Sequence, residues 1–288
     1  MILVGTDDGL VELDGETHLR GHRVTQLARE GEGWWAVLDD ATILHLDDEQ
    51  SSSFEWQSPR CLLPTSRGLF VGGAEARLWR NGEPVTSFDE VDGREGWYTP
   101  WGGPPDTRTI AESPDGTVHV NVHVGGIPRS RDGGATWEPT IDVDADVHHV
   151  ITHPTDSGLI LAAAAVGLCA SRDGGDTYEV VPDGLHSSYA RAVAIAGDTV
   201  LLTACDGPHG GDAAVYRTPI ALNRTFEKCE RGLPEWFGDN IDTGCLAAAD
   251  GTVSFGTVDG EVYLSEDAGE TWERAADGLP AVRAVAIE

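Results

Sequence analysis

The stretch SRDGGATWEP (130–139) returns as SRDGGDTYEV (171–180) and as SEDAGETWER (265–274). A string that recurs with its Ser, Asp, Gly, Thr and aromatic in register is a copied structural part, and copied parts at fixed spacing mark a repeat architecture. The match continues downstream. TYEVVPDGLH (177–186), TFEKCERGLP (225–234) and TWERAADGLP (271–280) each place a Gly six residues after the aromatic. VYRTPIALNRTF (215–226) is therefore a decayed fourth copy, with one extra residue, Phe226 for Trp, and no Asp.

Upstream of the boxes, AESPDGTVHVNVHVGGIPRSRDG (111–133) and AAADGTVSFGTVDGEVYLSEDAG (247–269) read as strand, Asp-Gly turn, strand, turn, strand. Asp-Gly between alternating runs is a strong hairpin signal, and TVHVNVHV alternates strictly, as a half-buried strand does. Laid along the chain, the unit puts first strands at 22–28, 59–64, 107–112, 147–153, 189–195, 242–248 and 281–287. Seven units of roughly 40 residues are the spacing of four-stranded propeller blades. The chain ends on AVRAVAIE, a first strand without a hairpin partner, and begins MILVGTDDGLVEL, a second and third strand without a first. The expectation is an all-β, seven-bladed β-propeller in one domain, 1–288. Its first blade is split between 281–288 and 1–21, and that split closes the ring and removes the open sheet edges.

The motif Ser-x-Asp-x-Gly-x-Thr-Trp at 130–137, 171–178 and 265–272, with Tyr178 for Trp, resembles the Asp-box, or bacterial neuraminidase repeat. That repeat occurs in sialidases, in sortilin-type receptors and in photosystem II assembly propellers. The Gly-Leu-Pro before the next first strand looks most like the assembly factors. The resemblance implies a turn between third and fourth strands, on the face away from an active site. Asp132, Asp173 and Asp267 would accept backbone N–H groups across that turn, while Trp137, Tyr178 and Trp272 pack between sheets.

Composition narrows the function. Forty-nine acidic residues stand against 19 basic ones, a formal charge of −30, and only Lys228 among the basic residues is Lys. Such a surface disfavours nucleic acid and anionic membrane, and suits a salty cytoplasm. No apolar run of membrane-spanning length occurs, and Asp7 and Asp8 interrupt the start before any signal-peptide core forms, so a cytoplasmic, monomeric protein is expected. The five cysteines, 61, 169, 205, 229 and 245, are scattered and read as buried free thiols.

Aligned at their openings, the first strands carry Arg23, Arg60, Arg108, His148, Arg191, Thr243 and Arg283 at the second position. With 18 Arg in 288 residues, chance places fewer than one Arg in seven such slots, so the register suggests an arginine-lined channel mouth. Its planar fork suits carboxylate or phosphate. The same register also admits a structural reading, each Arg pairing with a carboxylate such as Glu112, Asp198 or Asp242. Loops expected at this mouth bring Trp97, Tyr98 and Trp101, then Trp236. A two-residue turn at Asp115-Gly116 would set Arg108 opposite His123. His123 with His148 is the one histidine pair able to share an ion, but no carboxylate is fixed beside it, so no metal and no cofactor are expected.

These residues fit a non-enzymatic binding or assembly propeller for an anionic small molecule or a peptide carboxylate. The alternative is a sialidase-like glycoside hydrolase at the same mouth, with Tyr98 or Tyr189 as nucleophile and Asp206 or Asp239 as acid. The sialidase Arg-Ile-Pro run is missing, since Ile127-Pro128 follows Gly126. A plain protein-interaction scaffold is the third reading.

Overall fold

The computed structural model describes residues 1–46, 51–55 and 58–288. Their strands form seven antiparallel sheets, one per expected unit; residues 47–50 and 56–57 of the second unit lie outside the described residues. The closing blade has the order Val282–Ile287, Ile2–Thr6, Gly9–Glu12, Thr17–His18. Val4 pairs with Val285 and Ile2 with Ile287, so the two ends of the chain share one sheet.

Numbered in chain order from that closing blade, the first strands of blades two to seven are Val24–Glu30, Pro59–Thr65, Thr107–Glu112, Val147–Thr152, Tyr189–Ala196 and Leu246–Ala249. Each contacts the next, and the seventh returns to Val282–Ile287, so the first strands form the inner ring. They enclose a cavity of about 240 Å³ lined by Gln26, Cys61, Thr109, His149 and Val285 among others. The fourth blade shows a three-stranded ladder, Thr107–Glu112, Val118–Val122 and Arg129–Ser130. Its outer edge is one bridge, Arg129 to Glu138, beyond which Pro139 has no N–H to continue the pairing.

The core lies between sheets. Leu201 and Cys229 of blade six pack with Phe255, Tyr263 and Trp272 of blade seven, and Leu161 and Leu168 of blade five with Leu202, Tyr216 and Phe226 of blade six. Each box turn joins the third strand of its blade to the outer segment, and its aromatic packs back on the preceding blade. Trp137 stands edge-on to Phe88 at 5.0 Å, Tyr178 packs against the blade four–five cluster that includes Ile127, and Trp272 lies in the blade six–seven layer. Phe226 fills the same place in the decayed copy, at 3% exposure. All five cysteines are free and buried, and burial raises the thiols, to about 12 at Cys245.

One irregularity positions the mouth. Near the opening of the first strand, blades one to six carry a bulge that leaves one residue without its own ladder partner. The extra residues are Arg283, Thr25, Arg60, Arg108, His148 and, sharing Thr203 with Ala192, Arg191. Bulges bend a strand and re-aim a side chain. Five of the seven aligned slots are therefore this bulge, Thr243 lies in the turn before the first strand of blade seven, and Arg23 falls out of register: the equivalent position in blade two is Thr25. The hairpin in blade four also differs from expectation. Ser113 pairs with Thr117 across a three-residue loop, 114–116, with Gly116 at φ +82 and Asp115 Oδ1 accepting from Thr117 N. Thr107, not Arg108, then faces Val122, and Arg108 does not face His123.

Candidate functional site

Most of the mouth arginines are already neutralised. Arg283 donates to both oxygens of Asp7 at 2.8 and 2.7 Å, and Arg191 donates to Asp242 Oδ1 at 3.0 and 2.6 Å. Arg60 donates to Asp106 at 3.0 Å and lies 3.4 Å from Asp40, which also takes Arg23. Of the carboxylates expected, only Asp242 serves. Asp7, Asp40 and Asp106 come from turns and blade-to-blade loops that no strand periodicity registers.

Arg108 is different. Among the described residues it has no ion pair and no hydrogen bond, although it is only partly exposed. Burial, and next the neighbouring Arg191, pull its guanidinium below the ordinary arginine value, against the opposing pull of Asp242 and Asp146. Arg191 is 8% exposed; burial opposes its charge, yet Asp242 raises it. Asp242 is in turn held below the usual carboxylate range by Arg191, against the effect of burial. Four of the five aligned arginines therefore have a carboxylate in ion-pair range, and Arg108 does not.

Around Arg108 the side chains form a line of rings across three blades. Trp101 lies 5.0 Å from His123, His123 5.9 Å from His148, and His148 4.8 Å from Tyr189, all between ring centroids. The Arg191 guanidinium sits 5.8 Å from the Tyr189 ring. Trp101 and Tyr98 are 67% and 65% exposed, at the end of the long loop before Thr107. Thr243 Oγ1 ties the sector together, donating to Arg191 O at 2.9 Å and reaching His148 O at 3.2 Å.

The histidine pair does have a carboxylate beside it. Asp146 Oδ1 is 3.1 Å from His123 Nε2, and Asp146 Oδ2 is 3.6 Å from His148 Nε2. This overturns the expectation that none is fixed there. Asp146 closes a short 3-10 turn, Val143–Ala145, at φ +50, and Ala165 N donates to its carbonyl at 3.0 Å. Asp146 stands two residues before His148 in the sequence, but its left-handed backbone and the His148 bulge bring the two together, so strand alternation carried no signal for it. Burial holds His148 below the ordinary imidazole value.

Other expected site residues go elsewhere. Trp97 is 8% exposed and packs on Phe88, with Arg94 4.9 Å over its ring, so it pins the loop rather than lining the mouth. Trp236 lies against His186 and under Lys228, which is on the outermost strand of blade six, far out along that sheet from the inner ring. Asp206 is 3.7 Å from His186 Nε2, and Asp239 Oδ1 accepts from Asn240 N. No contact joins Asp206 or Asp239 to Tyr98 or Tyr189 among the described residues. The Tyr189 phenol is raised by burial, the wrong direction for a nucleophile at neutral pH.

Comparison with known proteins bears on the fold. No family model matches this chain, and no curated protein matches it. Among solved structures, it is similar to the GH74 xyloglucanase from Xanthomonas campestris, with 16% identity over 88% of this chain and 45% of that one, at a TM-score of 0.65. It is similar to the WD40 β-propeller domain of Doa1, with 14% identity over 95% and 84% and a TM-score of 0.63. It is also similar to YCF48 bound to D1 peptide, with 14% identity over 87% and 81% and a TM-score of 0.59. The chain spans less than half the length of the GH74 xyloglucanase it matches. No described helix is long and apolar enough to cross a membrane. What this chain shares with glycoside hydrolases, WD40 domains and a peptide-binding propeller is a seven-bladed β-propeller, a fold able to hold ligands or peptides.

Proposed function

We propose that this chain is a binding propeller whose channel mouth, at the junction of blades four, five and six, takes a ligand or peptide end through a carboxylate seated on Arg108. One observation carries the reading: Arg108 alone of the five aligned arginines has no carboxylate within ion-pair distance among the described residues, and burial and Arg191 outweigh the longer-range attraction of Asp242 and Asp146 for its charge. An incoming carboxylate would relieve both, and a fork of N–H donors suits it. The exposed ring of Trp101, against His123 of blade four, supplies apolar surface at the same mouth. The likeness to a propeller solved with a bound peptide supports a peptide end as the ligand class.

The test is a peptide library with free C-terminal carboxylates, set against the same library amidated. Free-carboxylate peptides should be enriched, and Arg108→Gln should abolish the preference. A lost charge-assisted hydrogen bond of about 1.5–3 kcal/mol is roughly ten- to a hundredfold in affinity. Equal capture of both libraries by the wild-type protein would sink the reading.

Glycoside hydrolysis is the second reading, favoured by the likeness to GH74 enzymes. Turnover of any member of a glycan panel, abolished by Tyr189→Phe, would establish it in place of the first.

A further inference from the structure

We propose that His123, Asp146 and His148 form a binding site for one divalent transition-metal ion of the zinc or cobalt class, with a fourth position left for water or a ligand oxygen. This does not rest on the carboxylate reading above.

The spacing fits. Donor atoms about 2.0–2.2 Å from a tetrahedral ion lie roughly 3.2–3.6 Å from one another. His123 Nε2 to Asp146 Oδ1 is 3.1 Å and His148 Nε2 to Asp146 Oδ2 is 3.6 Å. One donor atom from each of the three residues can be chosen so that all lie within 4.8 Å of one another, so an ion needs only small side-chain rotations to bring them together. Two imidazoles and one carboxylate select zinc, cobalt or nickel over magnesium or calcium, which prefer all-oxygen sites.

Burial and orientation make the trio more than a cluster. His148 is 0% exposed and His123 5%. His148 Nε2 is buried without a hydrogen-bond partner among the described residues, and buried Asp146 Oδ1 has only His123 Nε2, at 3.1 Å and without hydrogen-bond alignment. Unpartnered buried polar atoms call for an explanation. The other nitrogen of His148, Nδ1, is 2.6 Å from Ala190 O and must carry a proton to make that bond. In the neutral ring Nε2 then turns a lone pair toward a carboxylate, an unfavourable contact that a cation between them removes. An imidazole that donates its far N–H to a backbone carbonyl is held as metal-binding imidazoles are held.

The backbone holds all three donors in place. His148 occupies the bulge of blade five. His123 directly follows the second strand of blade four, its N–H bonded to Asp106 O at 3.0 Å. Asp146 sits at the left-handed residue that opens blade five. Arg108 and Arg191 oppose the cation. Their presence lowers metal affinity and makes the loaded site strongly anion-seeking.

The experiment is titration of the whole chain with Co²⁺, then Zn²⁺, in about 1 M KCl, where the acidic surface is screened to a Debye length of roughly 3 Å. One equivalent should bind, with the intense visible absorption of four-coordinate cobalt, displaced by Zn²⁺. Asp146→Asn and His123→Gln, checked for folding by circular dichroism, should each weaken binding at least tenfold. Arg108→Gln should tighten it severalfold. Absence of binding to the wild-type chain at millimolar metal, or binding indifferent to both ligand variants, would overturn the proposal. The second outcome would assign the metal to surface carboxylates, and the first would leave Asp146 as a proton-sharing partner of the two histidines.

Discussion

In each box the buried oxygen belongs to serine, not to aspartate. Ser130, Ser171 and Ser265 are at most 2% exposed, and their Oγ atoms accept from the buried N–H of Gly134, Gly175 and Gly269 at 2.7–2.9 Å. Each hydroxyl donates onward to the box aspartate, at 2.9, 2.7 and 2.8 Å. The aspartates are exposed and take the N–H and hydroxyl of Thr136, Thr177 and Thr271. The Thr136 hydroxyl bond, with its N–H, holds Asp132 at about 2. The two halves of the motif therefore differ in what their loss exposes. Ser171→Ala leaves a buried N–H unmet and should cost about 1–3 kcal/mol. Asp173→Ala opens its N–H partner to water and should lower the denaturation midpoint less. Equal losses in urea denaturation would refute this ordering. The motif's placement was legible because the copies align; the division of labour was not, because a string of letters carries no burial. The same limit applies at the mouth. Arg60, Arg108, Arg191, Arg283 and His148 share a register that alignment reveals, but Arg23 is displaced by two residues. The partners Asp7, Asp40 and Asp106 are set by turns on neighbouring segments.

Between one element and the next, the six-residue interval from aromatic to glycine has a geometric cause. Gly184, six after Tyr178, has φ +94, and a Cβ there would lie 2.1 Å from the carbonyl oxygen of Phe226 in the following blade. Gly232, six after Phe226, has φ +88 and would place a Cβ 1.8 Å from the carbonyl oxygen of Trp272. The backbone also bonds there, Phe226 N to Asp183 O at 2.8 Å and Trp272 N to Arg231 O at 2.9 Å. Each glycine is thus the contact point at which one blade's exit meets the next blade's aromatic. Gly278, six after Trp272, also has φ +68 but meets nothing within 4 Å, because the closing blade that follows has no box. Gly278→Ala should then cost only left-handed strain, about 1 kcal/mol, whereas Gly232→Ala adds a backbone clash and should cost several times more. Comparable melting temperatures for the two variants would show that the interval is inherited without a packing role. At this scale the strands were largely legible, since Asp-Gly turns and alternation mark hairpins. The bulges and the three-residue loop at 114–116 were not, because one inserted residue shifts a register without changing the pattern that announces it.

For the whole molecule, closure and charge pull in opposite directions. The pairing of Val282–Ile287 with Ile2–Thr6 was legible from the incomplete units at the two ends, and it leaves no first strand without a neighbour in the ring. Most of the charge that enters that ring is matched, as in Arg283 with Asp7 and Arg191 with Asp242, and Arg108 is the exception. With 49 acidic residues and 19 basic ones, at least 30 carboxylates have no cation to pair with even if every Lys and Arg takes one. Folding gathers that excess onto one compact surface, and the cost is repulsion over distances of several ångströms to tens of ångströms. At 0.1 M ionic strength the Debye length of about 10 Å leaves much of this unscreened; at 1 M, roughly 3 Å removes most of it. The melting temperature should therefore rise steeply between about 0.05 and 1 M KCl. The pairs at the mouth weaken over the same range, but they are few, and surface pairs are each worth about 1 kcal/mol or less. Sucrose, which strengthens burial without screening charge, should not reproduce the steep low-salt limb. A melting temperature flat in KCl would mean that the surface carboxylates are spaced widely enough to be indifferent to one another, and the acidity would then have no part in the stability of this propeller.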